Sequence, residues 1–375
     1  MGLLYPANRL QIAQEAARTA GVDALLVTPG ADLRYLTGYN AHASERLTCL
    51  VLPAAGDPLL VVPLLERSLV EASPAGSVDL DVTGWEETDD PYAAVAAHLL
   101  GELGRSPERL AVGNRMWAEQ ALRLQSALPG ADLSLAGSVL RELRMVKSPE
   151  EVEALRRAGQ AIDRVHSRMG EWLRVGRTER EVGRDIAAAI LEEGHVSADF
   201  TIVGSGPNGA SPHHELSDRV VQAGDVVVVD IGGTTAEGYC SDNTRTYVCG
   251  GSAPAEVADY YAVLLTAQQA GTAAVRPGVT PHEVDAAARD VIAAGGYGEF
   301  FIHRTGHGIG LEGHEEPYIV AGNAEPLRAG TAFSIEPGIY LPGRHGARIE
   351  DIVVCTAEGA DPLNLIGRDL VLLPG

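Results

Sequence analysis

The sequence predicts an α+β protein of two domains, a smaller α/β domain over residues 1–137 and a larger α+β domain over residues 138–375. At roughly 150 residues per domain, a chain of 375 residues predicts two domains, with three as the alternative. In the first third, helical and strand patterns alternate, as in α/β folds. In the remainder, helices cluster in two blocks with β-type runs between and after them, which is typical of a mostly antiparallel sheet flanked by helices.

The elements of the smaller domain follow from apolar runs and turn residues. Asp90 followed by Pro91 is a helix start, with the aspartate as cap and the proline at the first helical position. The segment 53–58 joins two β-rich runs as a hairpin-type connection. The expected elements, in order, are helix 8–20 ending at Gly21, strand 24–28, strands 47–52 and 59–62, a helix from Pro91, strand 109–113 and a helix ending at Pro129–Gly130.

Three capping boxes mark helix starts in the larger domain. Ser148, Thr178 and Thr280 are each followed three residues later by a glutamate that can bond back to the cap. Apolar residues then recur at helical spacing. The expected helices are 149–176, 179–194, 255–275 and one from Pro281, and the expected strands are 200–203, 226–231, 245–248, 300–302, 331–335 and 349–354.

Composition and charge exclude several classes of partner. The chain carries 51 acidic against 29 basic residues, a net charge of −22, so nucleic acid and anionic membrane surfaces would repel it. No apolar run is long enough to predict a membrane span or a signal peptide. The four cysteines form no Cys-x-x-Cys pair, which argues against a redox motif and a thiolate zinc site. Four cysteines in a chain of this length, without a secretion signal, predict reduced thiols. We therefore expect a cytoplasmic protein without nucleic-acid or membrane partners.

Two aspartates accompany neighbouring apolar strands. Asp230 ends the run Val226–Val229, and Asp242 follows after a Gly-rich turn, just before the next predicted strand. A carboxylate at a buried strand end is costly unless a cation or several donors meet it. Each could instead be a turn aspartate that caps local amides. If the two strands are adjacent, both carboxylates can face one metal site.

The segment His303–Glu315 contains three histidines among several glycines. The spacing of His303 and His307 imitates a metal-binding pair on a helix, but the glycines make a helix unfavourable. We predict a strand, a Gly-rich loop and a second strand, with the glycines allowing the backbone to approach a ligand. A phosphate-binding loop is the alternative, although the spacing does not match the dinucleotide fingerprint and the nearby acids would repel phosphate.

Two glutamates complete a possible ligand set. Glu336 and Glu350 each follow an apolar β run, and taken singly each could be an exposed strand-end acid. With the two aspartates and His307 they give four carboxylates and one imidazole, a set that suits two divalent cations. Two such cations neutralise four carboxylates, which would otherwise repel one another.

In these motifs the chain resembles the pita-bread metallopeptidases, which include methionine aminopeptidase, aminopeptidase P and Xaa-Pro dipeptidase (prolidase). The segments 303–315, 334–340 and 348–351 carry the resemblance, and about the first 130 residues resemble the accessory domain of the proline-specific members and of creatinase. The resemblance implies a pita-bread catalytic domain after a creatinase-like N-terminal domain. It implies two divalent metal ions, Mn²⁺ foremost with Zn²⁺, Co²⁺ or Fe²⁺ as alternatives, held by Asp230, Asp242, His307, Glu336 and Glu350.

The resemblance also implies roles in a hydrolytic reaction. Asp242 and Glu350 would bridge the two ions, which lower the pKa of an attacking water. Glu336 would be the general base. Three histidines would line the substrate groove, and an arginine would orient the bridging glutamate. The residues implied to act in catalysis or substrate binding are Glu336, His213, His303, His314 and Arg348.

One departure from the family concerns the carboxylate of the substrate. Archaeal-type prolidases carry an arginine four residues after the histidine matched by His314, and it helps to hold that carboxylate. This chain has Tyr318 there. A dipeptidase would need another cation, and Arg46 in the accessory domain is the candidate. A solvated loop arginine is the alternative interpretation of Arg46.

The function implied is that of a metal-dependent Xaa-Pro dipeptidase (prolidase), acting on dipeptides with C-terminal proline or on short proline-containing peptides. A homodimer is the family expectation. The alternative is aminopeptidase P, which releases the N-terminal residue from longer X-Pro peptides. A non-catalytic binding module of the same fold is a third possibility, and the retention of all five ligand residues argues against it.

Overall fold

The structure is a computed structural model that describes residues 4–374. The chain divides into two compact units, of which the first ends at Arg144 and the second begins at Met145. The sequence-based boundary between residues 137 and 138 lies at the start of the helix Gly137–Met145, and the division between the units lies at its end. The predicted α+β class is confirmed.

The first unit is a six-stranded sheet with helices. The strand order is β4-β3-β2-β1-β5-β6, in which β2 runs antiparallel to both neighbours and the other pairs are parallel. Its elements are α1 (Arg9–Ala20), β1 (Ala24–Val27), α2 (Ala31–Thr37), β2 (Cys49–Pro53), β3 (Leu59–Pro63), α3 (Arg67–Glu71), β4 (Asp81–Trp85), α4 (Pro91–Leu103), β5 (Arg109–Val112), α5 (Ala118–Ala127), β6 (Asp132–Leu135) and α6 (Gly137–Met145).

Over the residues that the structure describes, the second unit contains three sheets. One has the order β17-β9-β8-β7, one β11-β10-β12-β15-β16, and β13 pairs with β14; all pairs are antiparallel except β17 with β9. Its elements are α7 (Pro149–Ser167), α8 (Glu179–Glu192), β7 (His195–Ser205), β8 (Val226–Thr235), β9 (Cys240–Cys249), α9 (Ala255–Ala274), α10 (Pro281–Ala294), β10 (Gly306–Gly308), β11 (Glu315–Ile319), β12 (Ala332–Ile335), β13 (Gly338–Leu341), β14 (His345–Arg348), β15 (Asp351–Thr356), β16 (Gly359–Pro362) and β17 (Val371–Leu373).

The three predicted capping boxes are confirmed, and each opens a helix that packs on a sheet. In α7, α8 and α10 the cap hydroxyl accepts from the amide of the glutamate three residues on, and that glutamate bonds back to the cap amide. Ile162, Val182 and Ile186 of α7 and α8 bury against Val227 and Val229 of β8. None of the described helices combines the length and the apolar character that a membrane crossing requires.

Two predicted elements are wrong. The helix expected to reach Gly176 ends at Ser167, and a 3-10 turn, Met169–Glu171, follows it around Gly170, a residue that disfavours a continued helix. The strand expected at 300–302 is instead the end of the 3-10 turn Gly298–Phe300 and an irregular segment. There Phe301 is buried and Ile302 is 65% exposed, and neither residue belongs to a strand.

Candidate active site

Two acidic ligand candidates lie on one face of the β8–β9 hairpin. Asp242 of β9 is opposite Gly232, and Asp230 of β8 is opposite Thr244, so both aspartates project from the same side as diagonal neighbours. Both are buried. The expectation that they flank strand ends is wrong, because both lie within longer strands. The Gly-rich segment after Asp230 continues the ladder because β7 and β9 both supply hydrogen-bond partners.

The other three candidates come from the second sheet. His307 is the central residue of β10, Glu336 follows β12 directly, and Glu350 lies between β14 and β15. The amide of Glu350 donates to the carbonyl of Thr244 (3.1 Å), which joins this sheet to β9. The structure thus brings all five predicted side chains together, since ligand atoms of Asp230, Asp242 and Glu350 lie within 4.8 Å of one another, as do those of His307, Glu336 and Glu350.

The electrostatics of this cluster fit divalent cations. Burial raises the pKa of Asp242 and of Glu350 well above the ordinary range, and repulsion among the neighbouring carboxylates raises them further. Burial also raises the pKa of Glu336 to about 7. Among the described residues, Oδ1 of Asp230 and Oε1 of Glu350 are buried without a hydrogen-bond partner. Buried acceptors without donors are rare and cost free energy. A bound cation would remove this cost and would also relieve the repulsion among the carboxylates.

Arg348 is the cation that the protein itself supplies to the cluster. Its guanidinium is buried and donates to Oδ2 of Asp230 (2.6 Å), to the hydroxyl of Thr244 (3.1 Å) and to the hydroxyl of Tyr340 (2.6 Å). The Thr244 hydroxyl in turn donates to Oε2 of Glu350 (2.7 Å). Arg348 therefore orients two of the carboxylates, one directly and one through a threonine.

Substituting Arg348 should destabilise the metal-free protein. We expect Arg348→Met to lower the free energy of unfolding by about 3 kcal/mol, because the Asp230 carboxylate loses its buried partner. Urea unfolding after chelation measures this. Arg180→Met is the control, since the Arg180–Asp218 ion pair is exposed and its loss should cost less than about 1 kcal/mol. Equal stability of the two variants would contradict the expectation.

The backbone of Glu350 is fixed from the opposite face of β9. Arg245 is buried and donates through Nη1 to the carbonyls of Thr244 (2.9 Å) and Glu350 (2.6 Å). Its Nη2 bonds Oδ1 of Asp351 (2.6 Å), and Nδ2 of Asn243 also reaches the Glu350 carbonyl (2.6 Å). Residues of β9 therefore alternate between the carboxylate cluster and this second buried network.

The three predicted histidines line one cavity with the carboxylates. The cavity has a volume of about 760 Å³ and is lined by His213, His303 and His314 together with the cluster and the apolar side chains Phe200, Ile202 and Ile302. His303 Nε2 lies 2.9 Å from the Tyr340 hydroxyl. Burial lowers the pKa of His303 to about 3, so this imidazole is neutral at physiological pH.

His314 lies closer to the ligand cluster than expected for a groove residue. Its ring centroid is 3.7 Å from that of His307, and atoms of Asp242, His307 and His314 form a third group within 4.8 Å. Its Nδ1 lies 3.1 Å from Nη2 of Arg304, whose guanidinium is stacked over the ring of Tyr318. Burial lowers the pKa of His314, which favours the neutral form that binds metals or polarises a carbonyl.

Arg46 lies in the first unit, between α2 and β2. Its guanidinium bonds Glu45 (2.7 Å) and Glu87 (2.8 Å), and its side chain is 37% exposed. Exposed ion pairs of this kind contribute little free energy, so these glutamates can release the arginine easily. Its assignment to the substrate stays a prediction.

Sequence reasoning missed several side chains that hold the predicted ones. Thr244 had a usable signal, because it lies two residues after Asp242 and therefore on the same face of the strand. Ser334 had the same signal before Glu336, and its hydroxyl contacts both the amide of His307 (3.0 Å) and Oε1 of Glu336 (3.1 Å). The contacts of Tyr340 and Arg304 arise from tertiary packing, and no local sequence signal indicated them.

Comparison with known proteins gives consistent matches over nearly the whole chain. A Mycobacterium tuberculosis protein named "Probable dipeptidase PepE" is 54% identical over 368 residues, 98% of this chain and 96% of that protein. An Xaa-Pro dipeptidase of Lactobacillus delbrueckii subsp. lactis is 37% identical over 357 residues, 94% of this chain and 96% of that protein. The crystal structure of dipeptidase PepE from Mycobacterium ulcerans matches with a TM-score of 0.92 at 55% identity, covering 98% of both chains.

Family models match both parts of the chain. The model of the Creatinase/Prolidase N-terminal domain matches residues 9–146, and that of Metallopeptidase family M24 matches residues 153–357. The resemblance inferred from the sequence motifs, including the pita-bread fold and the class of metal-dependent peptidase, is confirmed. The chain belongs to metallopeptidase family M24, with a creatinase/prolidase type of N-terminal domain.

Proposed function

We propose that the protein is a two-metal Xaa-Pro dipeptidase that hydrolyses dipeptides with C-terminal proline. The observation that carries the proposal is the convergence of four carboxylates and His307 in the lining of a cavity that three further histidines also line. The names of the two relatives, a probable dipeptidase at 54% identity and an Xaa-Pro dipeptidase at 37% identity, support the same activity.

We assign the ion-binding role to Asp230, Asp242, His307, Glu336 and Glu350. When bound, two divalent ions supply a water of lowered pKa and neutralise the charge that develops on the scissile carbonyl. The mixed set of oxygen and nitrogen ligands suits Mn²⁺, which we propose as the native metal. Metal analysis of the purified protein tests the identity and the number of ions.

Within this scheme the chain's own groups move protons and orient the substrate. Glu336 is the general base, because its carboxylate lies in the ligand cluster and lines the cavity, and the hydroxyl of Ser334 holds its Oε1 (3.1 Å). The neutral ring of His303 is held on both sides, because its Nδ1 lies 2.7 Å from the carbonyl of Arg304 and its Nε2 lies 2.9 Å from the Tyr340 hydroxyl, so it would contact the substrate as a fixed part of the cavity wall. His213 and His314 face the same cavity and would contact the substrate from its walls.

The decisive experiment compares an Xaa-Pro dipeptide with an Xaa-Pro-Xaa tripeptide in the presence of Mn²⁺. We expect hydrolysis of the dipeptide at the higher kcat/KM. Cleavage of the tripeptide alone would identify an aminopeptidase P instead. A protein that neither binds a divalent ion nor cleaves either peptide would be a binding module, and both peptidase assignments would be wrong.

Two arginines are candidates for binding the free carboxylate of a dipeptide. Arg46 is the sequence-based candidate, and Arg304 lines the cavity. We expect Arg46→Ala to raise KM for Xaa-Pro dipeptides about tenfold, because a charge-assisted hydrogen bond is lost, and to leave tripeptide hydrolysis unchanged. Arg304→Ala is the matched comparison. If only Arg304→Ala raises the dipeptide KM, the role belongs to Arg304.

We also propose a homodimer and a cytoplasmic location. All four cysteines, Cys49, Cys240, Cys249 and Cys355, are buried as free thiols, which supports a reducing compartment. Sedimentation velocity measures the oligomeric state, and fractionation of the source cells measures the location.

A further inference from the structure

A buried glutamate outside the metal cluster accepts hydrogen bonds from several residues of one segment, residues 205–217. Glu179 is the first residue of α8, and its side chain is fully buried. Its carboxylate accepts from the amide (2.8 Å) and hydroxyl (2.7 Å) of Ser205 and from Nδ2 of Asn208 (3.0 and 3.1 Å). It also accepts from Nε2 of His214 (2.7 Å) and from the hydroxyl of Ser217. The helix dipole stabilises a negative charge at a helix start. A fully buried carboxylate also needs several hydrogen-bond donors to offset the loss of its hydration.

The donors keep Glu179 ionised. Burial alone would raise its pKa, but the hydrogen bonds from Ser217 and Ser205 hold it below its usual value. Hydrogen bonds to an ionised acceptor are roughly twice as strong as neutral ones. The carboxylate therefore fastens the segment 205–217 to α8 at several points along its length.

The same segment forms one wall of the cavity. Ser211, Pro212 and His213 line it, and the carbonyl of Pro212 accepts from Nη2 of Arg348 (3.3 Å). His213 and His214 are consecutive but have different contacts. The side chain of His213 lines the cavity, and that of His214 bonds Glu179. Neither Glu179 nor His214 lines the cavity itself.

We propose that Glu179 and His214 are positioning residues for His213. The hydrogen bond between them fixes the direction of the chain one residue after His213, and the Arg348 contact at Pro212 fixes it one residue before. The imidazole of His213 is thereby presented to the substrate by contacts of the residues on either side of it in the chain. The assignment of His213 to the substrate rests on the proposed function, whereas the tether of the segment does not.

The test exchanges His214 for residues with and without a donor. His214→Leu removes the donor, and His214→Gln retains an N–H at a similar distance from the backbone. We expect His214→Leu to lower kcat/KM for an Xaa-Pro dipeptide about tenfold, as small misplacements of a substrate-contacting group do, with bound Mn²⁺ unchanged. His214→Gln should recover most of that loss. Ser217→Ala, which removes another donor to Glu179, should act in the same direction as His214→Leu.

A double-mutant cycle separates positioning from general stability. In a His213→Ala background, His214→Leu should cause no further loss of kcat/KM, because the group that it positions is already absent. Losses that multiply would overturn the proposal, as would wild-type kcat/KM in the His214→Leu variant.

Amide hydrogen exchange gives a readout that does not depend on activity. Exchange in the segment 205–217 should accelerate in His214→Leu, whereas that of β8 and β9 should not change. Unchanged exchange in the segment would refute the tether. If the wild-type protein hydrolyses no Xaa-Pro dipeptide, the proposed function fails, and the exchange experiment still decides whether Glu179 and His214 fasten the segment.

Discussion

Replacing Glu336 with glutamine should lower kcat for an Xaa-Pro dipeptide by roughly 10³-fold, since general-base catalysis contributes on the order of 10²–10⁴. Glutamine keeps the size of the side chain and an oxygen that can bind a metal ion, but it cannot take a proton. Glu336→Ala removes the oxygen as well and should abolish turnover. Steady-state kinetics at saturating Mn²⁺ measure both effects.

Two controls distinguish loss of the base from loss of metal. Bound Mn²⁺ must be measured in Glu336→Gln, because Glu336 is also assigned as a ligand. Glu358→Gln removes one negative charge at an exposed turn of the same unit and should retain wild-type kcat. If Glu336→Gln keeps the wild-type rate with its full metal content, Glu336 is not the base.

Removal of the metals should abolish hydrolysis and destabilise the protein most at high pH. Asp242, Glu336 and Glu350 have raised pKa values in the metal-free fold, so their protonated forms are favoured there. For carboxyls of this kind the metal-free protein loses stability as the pH rises from the unfolded values near 4 towards and above 7. Bound cations offset this loss. The increase in melting temperature on adding Mn²⁺ should therefore be larger at pH 8 than at pH 6.

The same protonation makes metal affinity depend on pH. A cation must displace the protons that the buried carboxyls hold, so affinity should fall by about tenfold per pH unit for each proton displaced as the pH decreases below about 7. Isothermal titration calorimetry in buffers of different ionisation enthalpy measures both the affinity and the protons released. A pH-independent affinity would mean that these carboxyls are already ionised before the metals bind.

The four carboxylate candidates could be predicted from the sequence because each combines a costly group with a neighbouring apolar run, whereas His307 was predicted from its place among three histidines in a Gly-rich segment. Asp230 follows four consecutive valines, and such a position is improbable for an acid without a special partner. The lengths of the strands were predicted less well. The ladder of β8 continues through Gly232 and Gly233 because neighbours on both sides satisfy their backbone groups, and local propensity does not contain that information.

The contact between Glu179 and His214 could not be predicted from local sequence patterns. The sequence around Glu179 is typical of a solvated helix start, and His214 looks like an ordinary neighbour of His213. Their hydrogen bond joins residues 35 positions apart. It exists because the segment 205–217 folds over the first turn of α8, a long-range arrangement that neither periodicity nor a short motif records.

The network of Arg245 and Asp351 on the far side of β9 bears on how the sequence of such a fold can change in evolution. It holds the backbone of Glu350 through protein groups alone, so the position of this backbone does not depend on the ions that the side chain is suited to hold. Substitutions at position 350 could therefore change the ligand chemistry while the backbone there keeps its position. The network thus makes the path of the chain at this position independent of the side chain that the position carries.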